Sequence, residues 1–540
     1  MKKFNQIVFV IIGLLSSCQF LDLQPKDELA RDNFYKNDRE VRLALSGAYS
    51  NIREMYDQDF STWMNTGTDE MLYKRQNFGR ELSRMSYNDS DVDLARMWKT
   101  GYAGINIVND FIDNLNQLDT IPNLRRADHD VMLGEAYALR GLMYFNMVRV
   151  WEHIPLRLEH FTDIEGNLDM LNLPNTAAPK IYNQIVEDFE NSIELMDERP
   201  KEYGRLSKQI AHGLLARVYL TMAGARIQGG DIGIDSCLTQ VVKNTNAITE
   251  YGYHHLLSSY EEVFMNQIKG LRVDTEVMFE ADFTVSEGRN LGGRIGNFNG
   301  VQINLTTGNM PFATAHAWIT PSMHKSLYYS SDERKAWNCA NFSFGYRDGA
   351  FYPMNISNEL RWFPGKWRRM TPGLDMDGNF DGTAESLEMG VINKDRTSIN
   401  FPILRYSDVL LMRAEALYLL NGDNEQSRLD IEAVRNRANA GTVNSGLAQV
   451  NDNFLKLIQE ERRRELCFEG HRRFDLVRWG ILIETMKQVS ENVRSNPSFR
   501  ENNESQLAFP GERAEEKHVV FPIPTEEMQL NVNIKQHNLW

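Results

Sequence analysis

Cysteine is scarce: four residues in 540. Cys18 belongs to the N-terminal leader, and Cys237, Cys339 and Cys467 are far apart and odd in number. That excludes a disulfide framework and a zinc cluster, which need close Cys or His pairs. Positive charge is in deficit. Lys plus Arg is 59 against 74 Asp plus Glu, a formal charge of −15, which argues against nucleic acid as the main partner. Long hydrophobic runs are absent. The longest, Ile7 to Leu15, is too short to span a bilayer, which takes about 20 residues. The chain holds no G-x-S-x-G elbow, no P-loop, no H-E-x-x-H and no G-x-G-x-x-G. The eleven His are scattered, and the adjacent pair His254-His255 cannot share a helix face. Glycosidases need two positioned carboxylates, and no pair stands out among 74. The chain therefore reads as non-catalytic.

What is present is an ordinary globular balance, 42% hydrophobic and 25% charged, with nine Trp and twenty Tyr. Residues 1–17 read as a signal peptide: basic Lys2 and Lys3, then the apolar run. Leu15-Ser16-Ser17-Cys18 follows and resembles a bacterial lipobox, so Cys18 is the expected lipidation site. Several acyl chains anchor a protein firmly where one does not. The mature chain is expected to be soluble and tethered to a membrane by its N-terminus.

Helical periodicity runs through Asn33–Tyr56, Asp93–Leu118, Ala127–Trp151, a stretch opened by Pro179, Ser207–Ala225 with Ser207 as N-cap, and Asp235–Glu250. It fades between about 257 and 402, where Gly, Asn, Pro and aromatics accumulate and short runs read as strands or extended loops. Helices resume at Ser407–Leu420, Glu425–Ala438, Asn453–Glu469 and Arg472–Glu484. Three antiparallel pairs among these, with small residues at the crossings, resemble tetratricopeptide hairpins, their period loosened by insertions. The expected fold is mainly α: one unit from 18 to 540, with a helical scaffold at about 33–256 and 403–484. A loop-rich, irregular insertion occupies 257–402, and a closing segment occupies 485–540.

Ordered strings along the chain carry a family resemblance. After Cys18 come Phe20-Leu21-Asp22 and Pro25. Glu135 to Phe145 reads EAYALRGLMYF, Leu404 to Ala416 reads LRYSDVLLMRAEA, and Glu432 to Ala438 reads EAVRNRA. Glu460 to Trp479 reads EERRRELCFEGHRRFDLVRW, and Phe521-Pro522-Ile523-Pro524 closes the order. Together they resemble the SusD/RagB family of Bacteroidetes outer-membrane lipoproteins. Val532 departs from the pattern, standing where Pro is usual. The resemblance implies a cell-surface protein that captures oligosaccharides, or in some systems peptides. It implies a partner, a SusC-like TonB-dependent transporter, faced by the tetratricopeptide-like helices, with the irregular insertion forming the ligand surface. The charged motif itself reads as structural, since Glu461 and Glu465 stand at helical spacing from Arg462 and Arg464 with Arg472 and Arg473 nearby.

Sugar binding calls for aromatic faces flanked by planar polar groups. Two stretches offer them. One holds Trp63, Asp69, Tyr73, Arg75, Asn77 and Arg80, where the family carries part of its glycan site. The other holds Asn299, Trp318, Tyr346 and Trp362. Trp98 reads as core. A separate stretch fits a twelve-residue calcium loop: Asp377, Asn379 and Asp381 at positions one, three and five, then Gly382, Thr383, Glu385 and Glu388. It is expected to hold a structural Ca2+, and no other cofactor is implied. The reading favoured is glycan capture. A peptide-binding lid of the same architecture, an assembly scaffold without its own ligand and a surface hydrolase are the alternatives.

Overall fold

The computed structural model describes residues 35–75, 81–118, 121–160, 172–305 and 310–540. Helix α1 (Asp38–Asp57) starts where the Asn37 side chain accepts the Glu40 N–H, and it buries the stripe Val41, Leu45, Ala48 and Ile52. Helix α2 (Val92–Gln117) is capped by Asp91, which accepts from Asp93 and Leu94. Helix α3 (Arg126–Trp151) is buried on nearly every side, because α2 lies along one flank and α4 (Ala178–Leu195) along another. Gly141 permits the second contact: a Cβ there would stand 3.1 Å from the Phe189 ring.

Ser207 caps α5 (Lys208–Met222), as its position before an apolar run predicts, and α6 (Ile234–Tyr251) folds back against α5. Helix α7 (Tyr260–Ile268) leads into the middle segment. The stack then resumes. Helix α8 (Tyr406–Asn421) packs on α6 and pairs with α9 (Glu425–Arg437), and α10 (Val443–Gln449) and α11 (Phe454–Leu466) follow. The three expected hairpins are therefore α3 with α4, α5 with α6 and α8 with α9. Among the described residues no helix is long and apolar enough to cross a membrane.

Several boundaries differ from the periodicity: α1, expected from Asn33, starts only at Asp38, because Asn37 is extended and caps it. The expected helix 472–484 is two: α12 (Arg472–Arg478) and α13 (Leu482–Arg494), broken at Gly480, whose φ of 71° does not continue a helix. Helix α11 stops at Leu466, because Phe468 adopts φ 67° and Gly470 φ 79°. The closing segment adds α14 (Glu501–Glu512), which packs antiparallel on α13.

The middle segment consists of small antiparallel ladders, two strands each. Strand β1 (Met71–Tyr73) pairs with β5 (Ala317–Ile319), placing Leu72 opposite Trp318. Strand β2 (Val277–Ala281), fully buried, pairs with β12 (Phe401–Arg405) and so draws the two ends of the segment together over the helices. Between them come the hairpins β3 (Thr284–Ser286) with β4 (Arg289–Leu291), β7 (Phe342–Arg347) with β8 (Ala350–Asn355) and β10 (Met370–Leu374) with β11 (Phe380–Ser386). A two-residue ladder joins β6 (Cys339–Ala340) to β9 (Phe363–Pro364).

The charged motifs find one another in the interior. Arg405 donates to Glu465 at 2.9 Å and to Glu469 at 2.7 Å, and Asp408 receives Arg462 at 2.7 Å and Arg217 at 2.6 Å. Arg435 reaches Glu461 at 2.8 Å. Arg478 holds Glu415, on which the Trp479 indole N–H also converges at 2.7 Å. The charged groups are almost completely buried, while Trp479 is half-buried. A buried pair contributes little net stability, yet losing one partner costs about 3–5 kcal/mol. The network thus fixes which helix meets which.

Candidate ligand-binding surface

The first aromatic stretch folds inward. A π-helical turn (Asp59–Trp63) extends α1 and buries Trp63 between Phe298 and His316, at ring separations of 5.9 and 5.7 Å. Tyr73 lies parallel to His316, 6.0 Å away and 14° off. Asn299, 0% exposed, donates to the Ser61 carbonyl. The two stretches singled out from sequence do meet, but in the core: Trp63, Asp69, Tyr73 and Asn299 are all buried and present no face to a ligand. Their pattern of rings and planar polar groups is also the pattern of a polar core. Arg75 is half-buried and its carbonyl accepts from Arg84. Asn77, Arg80 and Cys18 lie outside the described residues.

Asp69 is held by Arg472 and Arg463, and Glu70 beside it accepts the Phe468 N–H at 2.9 Å. Asn65 completes the clamp: its side chain donates to the Phe468 carbonyl at 3.0 Å and accepts the Gly470 N–H at 2.7 Å. The left-handed turn at Phe468 is thus held from the N-terminal half of the chain.

The second stretch stays nearer the surface. Trp318, Tyr346 and Trp362 are each half-buried. Trp362 stacks on His324 at 4.1 Å, and burial lowers the His324 imidazole to about 4, so it is neutral at pH 7. The Arg361 guanidinium lies 5.5 Å from the Trp318 ring and is tied to Glu504 at 2.9 Å. On the β7–β8 hairpin Tyr346 meets Phe351 edge-on at 4.9 Å, and Tyr352 lies across Gly345, where a Cβ would stand 2.5 Å from its ring. Phe351 and Tyr352 carry no sequence motif, and the β7–β8 pairing alone brings them beside Tyr346 and Gly345. This side thus carries rings with guanidinium and imidazole neighbours, a composition suited to stacking on apolar sugar faces.

Lys74, unmarked by any motif, belongs to the same side. Its ammonium donates to Gln302 at 2.9 Å and to the Thr314 carbonyl at 2.7 Å. Burial, aided by the charge of Arg75, lowers it to about 7.

The calcium pattern becomes a hairpin. Asp375 Oδ1 accepts the Asp377 and Asn379 N–H groups at 3.0 and 2.8 Å, closing the β10–β11 turn. Asp381 accepts from Thr383, and Glu388 pairs with buried Arg369. Three carboxylates of this stretch do not gather within ligand distance of one another. The donor set as folded does not fit calcium, because the strand spreads ligands that a loop would wrap around an ion.

Among the described residues one His/carboxylate triad does gather: Glu152, His153 and His537. Each His accepts a backbone N–H on Nδ1, from Ala178 and from Leu539, both at 3.2 Å. A neutral ring so engaged carries its proton on Nε2 and has no lone pair left for a metal. His537 Nε2 instead donates to Glu152 at 3.2 Å, pinning the C-terminus to the end of α3.

A stack of helix hairpins carrying small β-hairpins in its middle segment defines a SusD-like fold. A SusD homolog from Bacteroides thetaiotaomicron superposes with a TM-score of 0.80 at 26% identity, over 95% of this chain and 99% of that one. A laminarin-binding SusD-like protein does so with a TM-score of 0.67 at 21% identity, over 94% and 100%. A SusD-like protein of Formosa agariphila is 26% identical over 554 residues, covering 97% of this chain and 96% of the relative. Residues 366–540 match the SusD family model, and residues 19–220 match one described as starch-binding associating with outer membrane. The chain belongs to the SusD family.

Proposed function

We propose that this chain is a lipid-anchored, non-catalytic glycan-capture protein of the outer membrane that passes its ligand to a SusC-like TonB-dependent transporter. The observation that carries the reading is the half-exposed set Trp318, Tyr346 and Trp362 in the middle segment, set on a SusD-like fold. Rings fixed by neighbours bind with little further loss of conformational freedom. Lipidation at Cys18 would supply the tether. A laminarin-binding protein and a surface glycan-binding protein among the structural neighbours agree with the class of ligand.

One observation favours a second reading, a scaffold with no ligand of its own. Among the described residues Tyr251 is the one aromatic among the exposed large hydrophobic side chains. Affinity gel electrophoresis of the chain from Gln19 onward against a polysaccharide panel, with an assay for new reducing ends, separates the readings. Retardation by a glycan without new ends supports capture. New reducing ends would mean a hydrolase. Retardation by no glycan would favour the scaffold or a peptide ligand.

A further inference from the structure

A cleft of about 610 Å³ lies between α2 and the C-terminal helix Thr525–Leu530. It shares no lining residue with the aromatic surface of the middle segment. The helix is moored to the start of α2 by the Thr525 N–H, which donates to the Asp89 carbonyl at 2.8 Å. Trp98 and Tyr102, with rings 5.0 Å apart, line the cleft and are almost completely buried, at 4% and 7% exposure. Ala103 on α2 and Leu530 on the C-terminal helix line it as well.

Three features say what it takes. The first is aliphatic exposure. Leu530 and Val532 are each 79% exposed, and Val92, one turn before the lining residue Ala95, is 76% exposed. Single exposed aliphatics are ordinary, but Leu530 lines the cleft, and Val532 and Val92 stand two and three residues from lining residues at its two walls, which marks an interaction surface. The second is charge. Glu159, Glu526 and Glu527 line the cleft and Asp89 and Asp91 flank the Val92 end, against Lys99 and Arg157; Arg157 is itself engaged with Glu527 at 3.4 Å. The third is unmet bonding: Trp98 Nε1 and Arg157 Nε are buried without a hydrogen-bond partner among the described residues. Sugars need open ring faces, and here both rings are almost completely buried, with the Arg157 guanidinium over Tyr102 at 4.6 Å, while the exposed surface is aliphatic.

We infer that this cleft seats a polypeptide segment of a partner protein, one that carries aliphatic side chains beside Lys or Arg. The aliphatic groups enter against Trp98 and Leu530, and the cations meet the carboxylates at the rim. From Ala95 to Asn109 the α2 wall runs about 21 Å, room for about six extended residues. The inference does not depend on a glycan ligand, since the two surfaces share no residue.

Fluorescence anisotropy of the chain from Gln19 onward with labelled decapeptides tests it, at physiological ionic strength. One peptide alternates Leu and Lys, a second replaces Lys by Glu, and a third replaces Leu by Ser. Leu530→Asp and Ala103→Trp change exposed positions, so the fold is retained, which thermal melting checks. Leu429→Asp, at an exposed site on α9, is the control. The Leu/Lys peptide is expected to bind, to weaken about tenfold or more with either cleft variant and to be unchanged by the control. The two companions are expected to bind at least about tenfold more weakly. Absence of Leu/Lys binding, equal binding by either companion, or indifference to both cleft variants would overturn the inference. Loss of polysaccharide retardation in Ala103→Trp would assign the cleft to sugar instead.

Discussion

Asp69 and Arg472, 403 positions apart in sequence, are joined by two parallel hydrogen bonds of 2.8 and 2.7 Å. Burial pushes the Asp69 carboxyl up, but the guanidiniums of Arg463 and Arg472 outweigh it and hold it well below the usual carboxylate range. The pair ties the segment after α1 to the charged motif near the C-terminus. A residue chosen from sequence for its reach toward sugar hydroxyls is thus part of the frame.

Asp69→Asn follows directly. It leaves two buried guanidiniums short of a countercharge, which costs about 3–5 kcal/mol of stability. Urea unfolding should show that loss, while glycan retention per folded molecule stays unchanged. A selective loss of glycan binding at wild-type stability would return Asp69 to the ligand site.

The helices were legible because their apolar stripes repeat at helical spacing, as in α1, and because caps such as Ser207 announce their starts. The EERRREL and RYSDVLL strings could be read as scaffold, but not as partners: Arg405 with Glu465 and Asp408 with Arg462 are long-range pairings that no local rule predicts. The break at Gly480 hides in a run that is still helical in composition. Burial was the least legible property. Trp63 and Trp362 look alike in sequence, each beside polar residues, yet Trp63 closes the core under Phe298 while Trp362 rests half-open on His324.

That contrast is testable. Trp362→Ala should cut glycan retention about tenfold, as loss of one stacking ring does, with a modest change in melting temperature. Trp63→Ala removes a ring that is 2% exposed and should cost about 3–5 kcal/mol, read by urea unfolding. Equal losses of stability in both, with no selective loss of binding in Trp362→Ala, would remove Trp362 from the ligand surface.

His324 gives the protein an acid-sensitive point under Trp362. Its folded value is about 4, lowered chiefly by burial, against about 6.5 in the unfolded chain. Between those values the unfolded chain binds the proton and the fold does not, so the stabilisation is full above about pH 6.5 and is lost as pH falls toward 4. Glu70, raised by burial to about 7, works in the opposite direction, so the comparison with His324→Gln isolates the imidazole. Wild type should lose about 2 kcal/mol more than His324→Gln between about pH 7.5 and about pH 4.5 in urea unfolding. Parallel pH profiles would mean that His324 protonates freely in the fold.

The acidic hairpin β10–β11 separates sequence pattern from geometry most sharply. Asp381, Thr383 and Glu385 alternate along β11, so successive residues on one face stand about 6.6 Å apart, whereas oxygens held about 2.4 Å from one calcium ion lie no more than about 4.8 Å from one another. Asp375 is already spent on the turn, and Glu388 neutralises Arg369, a guanidinium with 0% exposure that also donates to the Phe312, Asn393 and Lys394 carbonyls. The melting temperature should therefore be the same in excess Ca2+ and in chelator. Asp381→Asn, at a solvated position, should leave it unchanged, and Glu388→Gln should lower it by stranding Arg369 in the interior. A rise with Ca2+ that Asp381→Asn abolishes would mean that the ion rebuilds the hairpin into the loop its sequence describes. Glu388 would then have left Arg369 to bind the ion, and Glu388→Gln would abolish the rise as well.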